Sequence, residues 1–302
     1  MPKAAPRPLV GLLYNPAVPS VLDVMGAAVD FVEVIPDRLW YDFGAGASRR
    51  FSHSHDAISE LRHHTRDRAV IGHGIGLSLP SAMPLDEALL DEVAASHRML
   101  GYRWYSEHLS MFLVPNRSVP NAQAGMGLPV VLDREMLDIV GAKVRRLGEA
   151  LGTRILLENS TIFSQIPDQE MTEPEFLNRL HAQTGCGVLL DLHNLYANVR
   201  NLGISAEEYL SALDPDLVVE IHLAGGDELK GFYTDSHSRP TPPTVWDWAR
   251  DWAPRFPNLA AITYEYHESY QKRLGMAGVA RELSLMRELA EEVAVQRAAP
   301  VA

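Results

Sequence analysis

The stretch Gly187–Asn194, GVLLDLHN, decides the fold. It opens with a short apolar run and closes with an aspartate, a histidine and an asparagine. Apolar runs of this length are typical of strands that are buried on both faces of a parallel sheet. The polar residues at the end of the run predict a functional site at the carboxyl edge of that sheet.

Seven further runs have the same form and alternate with amphipathic segments. The predicted strands are Leu9–Tyr14, Asp30–Ile35, Ala69–Ile75, Trp104–Leu109, Arg154–Asn159, Gly187–Leu192, Leu217–Leu223 and Ala261–Tyr266. The predicted helices include Leu85–Leu100, Arg134–Leu151, Glu173–Thr184, Ala206–Leu213, Val245–Trp252 and a closing helix near Val279–Val295.

Eight strand–helix units predict an α/β protein with a (β/α)8 TIM barrel, and residues 1–302 suit a single domain of that kind. A capping box at Thr172 and Glu175, with Pro174 between them, marks the start of one helix. A doubly wound open sheet is the alternative. It is favoured by a glycine-rich phosphate turn after the first strand, which residues 11–20, GLLYNPAVPS, do not supply.

The long segment at about 111–132 is rich in proline and glycine and follows the fourth strand. Because it lies on the side of the barrel mouth, it is expected to form either a lid or a wall of the substrate site. A disordered surface insertion is the alternative.

Composition restricts the function classes. The net charge of −12 argues against nucleic acid as a partner, and no apolar stretch is long enough to cross a membrane. Cys186 is the single cysteine, so no internal disulfide forms, and we expect a cytoplasmic protein. Cys186 is expected to serve packing, as are Trp246, Trp248 and Trp252, which recur at helical spacing.

Six consecutive predicted strands end in a residue that can bind a metal. These residues are His73, His108, Glu158, Asp191, His222 and Glu265, and Asp235 and His237 follow in the loop after the seventh strand. Burying so many ionisable groups is costly without a compensating partner, and divalent cations are the simplest one. Imidazole and carboxylate together suit iron, zinc or manganese. The number of candidates predicts two or three ions, bridged by Glu158. A hydrogen-bonded mouth without metal is the alternative.

The order of these residues resembles the xylose-isomerase-like barrel superfamily, which includes endonuclease IV with its three zinc ions. The match covers strands three to eight, including an aspartate with a ligand three residues later and an Asp-x-His pair. One position differs, because this chain has Asn194 where the endonuclease has histidine.

A closer resemblance is to the multinuclear non-haem iron-dependent oxidative enzymes, the family that contains the methanobactin-biosynthesis oxidase. The matching motifs are HGIGLS, SEHLS, LLEN, GCGVLLDLHNLYAN, EIHLAGG and DSH. An asparagine three residues after the aspartate of strand six belongs to that family's pattern, so Asn194 joins Asp191 in the expected ligand set.

This resemblance implies two or three iron ions, Fe2+ or Fe3+, with dioxygen as co-substrate. It also implies oxidation of a residue, most often cysteine, in a ribosomally synthesised precursor peptide. A separate partner protein that binds the peptide's leader is expected. Glu107, His193 and His267 adjoin ligand positions and are expected to orient ligands or move protons. No residue is singled out as catalytic.

Two other function classes remain open. The first is a divalent-metal-dependent hydrolase or isomerase that acts on a phosphoester or a sugar. The second is a non-catalytic scaffold or metal-storage module. Asn194 and the acidic charge weigh against the first, and ligands on six strands weigh against the second.

Overall fold

Eight parallel strands form the centre of the fold in a computed structural model, which describes residues 7–114 and 122–298. The strands are β1 (Leu9–Leu13), β2 (Phe31–Val34), β3 (Ala69–Gly74), β4 (Trp104–His108), β5 (Arg154–Glu158), β6 (Gly187–Asp191), β7 (Val218–Leu223) and β8 (Ala261–Tyr264). They close into a barrel in the order β1-β8-β7-β6-β5-β4-β3-β2. The predicted TIM barrel is confirmed, and each predicted strand lies within two residues of its observed bounds.

The barrel strands are continuous apolar runs because their side chains are buried on both sides. Every residue of β6 and every residue of β7 is buried. The register then sets which strand ends are neighbours: His73 pairs with Ser106, His108 with Glu158, and Asp191 with His222.

Nine α-helices lie among the described residues. They are α1 (Val18–Met25), α2 (His55–Thr65), α3 (Glu87–Leu100), α4 (Arg134–Leu151), α5 (Glu173–Thr184), α6 (Leu192–Leu202), α7 (Ala206–Ala212), α8 (Pro243–Trp252) and α9 (Gln271–Ala298), the last broken at Gly275. The predicted capping box at the start of α5 is present, with reciprocal bonds between Thr172 and Glu175.

Helix α6 was not predicted. The apolar run was expected to remain strand through Leu192, but the chain turns into a helix directly after Asp191. The side chain of Asp191 caps this helix by accepting a hydrogen bond from the backbone N–H of Asn194. A strand and a helix that share one capping residue leave no loop to mark the boundary in the sequence.

The described residues also form three two-stranded antiparallel hairpins outside the barrel sheet: Trp40–Asp42 with Phe51–His53, Met111–Val114 with Ala122–Leu128, and Glu228–Leu229 with Phe232–Tyr233. The second hairpin occupies the segment at about 111–132 that was predicted to be a lid, a wall or an insertion. Residues 115–121 of that segment lie outside the described residues, so its role stays a prediction.

The chain groups into two compact units, one made of the residues up to Glu33 with those from Gly187 onward, the other of Val34–Cys186. A single domain over 1–302 remains a prediction. No helix in the described part of the chain is long and apolar enough to cross a membrane. Cys186, Trp246 and Trp252 are buried, as their expected packing role requires, and Trp248 lies edge-on to the ring of Tyr196.

Candidate metal centre

The first group of candidate ligands belongs to the unit Val34–Cys186 and consists of His73, His108 and Glu158. These residues end β3, β4 and β5. Glu158 Oε2 lies 3.5 Å from His73 Nε2 and 3.2 Å from His108 Nε2. The imidazole rings are 4.6 Å apart between centroids. One oxygen of Glu158 therefore faces the Nε2 atoms of both histidines.

Neutral oxygens orient both histidines of this group. His73 Nδ1 lies 2.8 Å from Ser106 Oγ, and Ser106 in turn donates to the carbonyl of Gly72. His108 Nδ1 donates to the carbonyl of Gly74 at 3.1 Å. Both bonds favour the neutral tautomer with the proton on Nδ1, in which Nε2 is unprotonated and faces Glu158.

Gly74 is held tightly against the side chains of β4. A Cβ atom on it would lie 1.9 Å from Tyr105 Oη and 2.1 Å from Glu107 Oε1, so only glycine fits. Tyr105 Oη donates to Glu107 Oε1 at 3.0 Å. Burial, reinforced by Asp37, raises the pKa of Glu107 well above its ordinary value. Glu107 thus packs against Gly74, whose carbonyl orients His108.

The second group belongs to the other unit and centres on Glu265, directly after β8. Glu265 Oε2 lies 3.4 Å from His222 Nδ1 and 3.5 Å from His237 Nε2. His222 and Glu265 are both buried. This group repeats the pattern of the first, with one carboxylate oxygen facing two imidazole nitrogens.

Asp235 extends the second group through short contacts with two histidines. Its Oδ1 lies 2.8 Å from His237 Nε2 and 2.9 Å from His193 Nδ1, and His193 Nε2 lies 3.1 Å from Tyr233 Oη. Burial acts against the charge on Asp235, but His237 and His193 outweigh it and hold its pKa well below the ordinary value. Burial likewise opposes the charge on His237, yet Asp235 and Glu265 raise its pKa to about 10.

Asp191 and Asn194 are brought together by the start of α6, where the Asn194 N–H lies 2.7 Å from Asp191 Oδ1. Both residues are buried. Burial, followed by the charges of Asp235 and Glu265, raises the pKa of Asp191 to about 6. Because the charges of Asp235 and Glu265 act on Asp191, we assign Asp191 to the second group.

The loop that carries Asp235 and His237 is fixed by a charged cluster around Asp227. Asp227 lies 2.6 Å from Arg239 Nε and 2.6 Å from Arg273 Nη1, and it accepts a bond from Ser238 Oγ at 2.7 Å. His237 itself has a φ of 50°, a left-handed conformation that is uncommon for residues other than glycine.

Sequence reasoning missed Glu33 on β2 and Glu220 on β7, both fully buried. Glu33 Oε2 lies 2.9 Å from His222 Nε2, and Glu220 Oε1 lies 3.8 Å from the same nitrogen. Burial, reinforced by Glu220, raises the pKa of Glu33 to about 8. The available signal was a glutamate inside each apolar run, FVEV and VVEIHL, where a charged residue is rare.

The three residues expected to assist the ligands have different surroundings. His193 contacts the predicted ligand Asp235, as described above. Glu107 packs against Gly74 and accepts a hydrogen bond from Tyr105. His267 is substantially exposed, and its Nδ1 accepts from the Ser269 N–H while its backbone N–H donates to the His237 carbonyl.

Both groups have donors that suit divalent transition metals. Two donors bound at about 2.1 Å to one ion, at angles between tetrahedral and octahedral, lie roughly 3.0–3.4 Å apart. The separations of 3.2–3.5 Å around Glu158 and Glu265 match that spacing. Potential metal-binding sets among the described residues include His73, His108 and Glu158, and His193, Asp235 and His237. The residues present therefore fit a metal centre.

Residues 10–289 match the family described as the RiPP precursor modification enzyme MbnB/TglH/ChrH, where RiPP denotes a ribosomally synthesised and post-translationally modified peptide. Because this match covers most of the chain, the protein belongs to that family of enzymes. A UPF0276 protein of Chromobacterium violaceum is 41% identical over 186 residues, which cover 59% of this chain and 63% of that relative. The alignment thus spans under two thirds of the relative's length.

Solved structures share the fold at low sequence identity. Endonuclease IV from Thermus thermophilus is 17% identical with a TM-score of 0.55, and the alignment covers 94% of this chain and 100% of that one. A xylose isomerase-like TIM barrel protein from Mycobacterium smegmatis, solved in complex with magnesium, is 14% identical with a TM-score of 0.55. That alignment covers 98% of this chain and 99% of the other. The predicted xylose-isomerase-like barrel is confirmed.

Proposed function

We propose that this protein is a multinuclear iron-dependent enzyme that uses dioxygen to oxidise a residue, most often cysteine, in a ribosomally synthesised precursor peptide. The observation that carries the proposal is the set His73, His108 and Glu158. Two histidines and one carboxylate are the donor set typical of non-haem Fe(II) oxygenases. Membership of a family that modifies such precursors supports the choice of a peptide as substrate.

The proposed iron ligands are the nine predicted residues: His73, His108, Glu158, Asp191, Asn194, His222, Asp235, His237 and Glu265. Iron held by these side chains would supply the redox chemistry and the dioxygen activation that amino-acid side chains lack. Two or three ions are proposed, because the two carboxylate-centred groups each offer enough donors for one ion, and Asp191 with Asn194 offers more.

The protein's own residues prepare this centre in two ways. Hydrogen bonds to Ser106 and to the Gly74 carbonyl keep His73 and His108 in the tautomer whose Nε2 can bind a metal. His193 joins Asp235 Oδ1 to Tyr233 Oη, so a proton that reaches Asp235 has a hydrogen-bonded route away from the centre.

The peptide is proposed to arrive with a separate protein that binds its leader, and its cysteine thiolate is a suitable ligand for iron. The substrate is sought among short open reading frames beside the gene. A hydrolase or isomerase that works in the zinc form is the competing function, and the fold shared with endonuclease IV does not distinguish it.

The test uses protein purified without oxygen and the precursor peptide from a neighbouring reading frame. We expect two or three irons per chain, dioxygen uptake only when peptide is present, and a mass change on the peptide. His73→Ala should abolish the uptake, whereas His63→Ala, on an exposed histidine of α2, should not. Full activity in the zinc form, or abasic-site cleavage or ketose isomerisation without oxygen, would contradict the proposal.

A further inference from the structure

His222 is held between two carboxylates by its position on β7. Its Nε2 lies 2.9 Å from Glu33 Oε2, a hydrogen-bond distance, whereas its Nδ1 lies 3.4 Å from Glu265 Oε2. His222 and Glu33 are both fully buried. The two nitrogens of this ring therefore have different neighbours: Nε2 lies at hydrogen-bond distance from a carboxylate outside the nine ligands, and Nδ1 lies at the spacing of two donors to one ion.

A neutral imidazole carries one proton, and it binds a metal through the other nitrogen. A nitrogen at hydrogen-bond distance from a carboxylate that is not itself a ligand keeps its proton, because that carboxylate accepts it and stabilises the tautomer. Nε2 of His222 is that nitrogen. Nδ1 is then the nitrogen without a proton, and it faces Glu265, which also faces His237.

We propose that Glu33 is a positioning residue that accepts a hydrogen bond from Nε2–H of His222 and thereby commits Nδ1 to the ion shared with Glu265. This inference rests on the proposed metal function of His222. It assigns a role to a glutamate that is itself outside the nine ligands, and it predicts that His222 binds through the opposite nitrogen from His73 and His108.

Glu220 provides a matched control, because it is equally buried and lies next to the same ring. Its Oε1 accepts from Thr263 Oγ1 at 2.7 Å and stands 3.8 Å from His222 Nε2, too far for a hydrogen bond. Glu220→Gln therefore neutralises a neighbouring carboxylate that does not contact Nε2, whereas Glu33→Gln neutralises the carboxylate that does.

Zinc is the probe for the affinity test, with competition against a chromophoric chelator and circular dichroism to verify folding. Glu33→Gln should weaken the affected site by about 10-fold, within the range for partners of metal-bound histidines. Glu220→Gln should change it by less than about 3-fold, and His222→Ala by more than about 100-fold.

The tautomer is read directly from long-range proton–nitrogen spectra of the zinc-loaded protein with 15N-labelled histidine. We expect the His222 proton on Nε2, and in Glu33→Gln we expect that proton to exchange faster with water.

If His222→Ala binds zinc like the wild type, the metal function proposed for His222 fails. Two other results would overturn only the positioning role, provided that His222→Ala binds zinc weakly. One is a wild-type spectrum that places the His222 proton on Nδ1, and the other is a zinc affinity of Glu33→Gln equal to that of the wild type. Loss of a whole ion in both Glu33→Gln and Glu220→Gln would also overturn it, because both would then be ligands.

Discussion

The histidines of the two ligand groups differ in what holds them. In the group around Glu158, a hydroxyl and a backbone carbonyl orient His73 and His108. In the group around Glu265, the Glu33 carboxylate lies 2.9 Å from His222 Nε2, the nitrogen opposite the one that faces Glu265. A carboxylate partner makes an imidazole more basic and a stronger metal donor than a neutral partner does. The two groups therefore present two kinds of histidine site.

The largest effect is expected from removing the carboxylate at the centre of the first group. Glu158→Gln should lower metal affinity there by more than about 100-fold, because loss of a mere outer partner already costs about 10–100-fold. The metal content after dialysis against fixed free metal should fall by at least one ion per chain. Glu149→Gln, on the exposed face of α4, is the control and should keep the full content. Unchanged content in Glu158→Gln would show that this group holds no metal.

The pH dependence of stability should separate the second group from the first. His237 has its pKa raised to about 10, so its pairing with Asp235 stabilises the metal-free protein fully below about pH 6.5. This contribution is lost as the pH rises towards 10, and the melting temperature should fall by roughly 5 °C. The raised pKa of Glu33 acts in the same direction up to about 8, so a second variant is needed to isolate His237.

That variant is Asp235→Asn, which removes the main partner that raises the pKa of His237. Calorimetry from pH 6.5 to 10 should give a shallower fall for Asp235→Asn than for the wild type. With saturating zinc the trend should reverse, because metal competes with protons for the same nitrogens. Parallel curves for the two metal-free proteins would mean that the His237–Asp235 pair does not control this linkage.

The strand ends could be predicted from the sequence because each one closes an apolar run with an ionisable residue. His73, His108, Glu158, Asp191 and His222 all lie at or next to the ends of β3 to β7, as expected. Whether they bind metal stays a prediction. Helix α6 was missed because Asp191 both ends a strand and caps a helix, and no turn residue separates the two.

The orienting partners were harder to predict, since they depend on register across strands. Ser106 is opposite His73, and nothing in the local sequence WYSEH distinguishes it from an ordinary buried serine. Glu33 on β2 and His222 on β7 are far apart in the sequence, so only the closed barrel brings them into contact. Candidate ligands at the end of a strand can be recognised in a single sequence. Residues that orient a histidine on another strand cannot, because the sequence does not show which strands are neighbours.

The smallest effect tests the comparison most directly. Ser106→Ala removes the neutral partner of His73 Nδ1, a bond worth about 0.5–1.5 kcal/mol. We expect zinc affinity at the first group to fall by about 2–10-fold, measured by chelator competition. Ser96→Ala, which removes a different buried hydroxyl bonded to Tyr102, should leave that affinity unchanged. The expected loss for Ser106→Ala is no larger than that for Glu33→Gln, although Ser106→Ala deletes its bond and Glu33→Gln keeps an acceptor. If Ser106→Ala lost much more zinc affinity than Glu33→Gln, the presence of the orienting hydrogen bond would matter more than the charge of its acceptor. The carboxylate partner would then give the second group no advantage over the first.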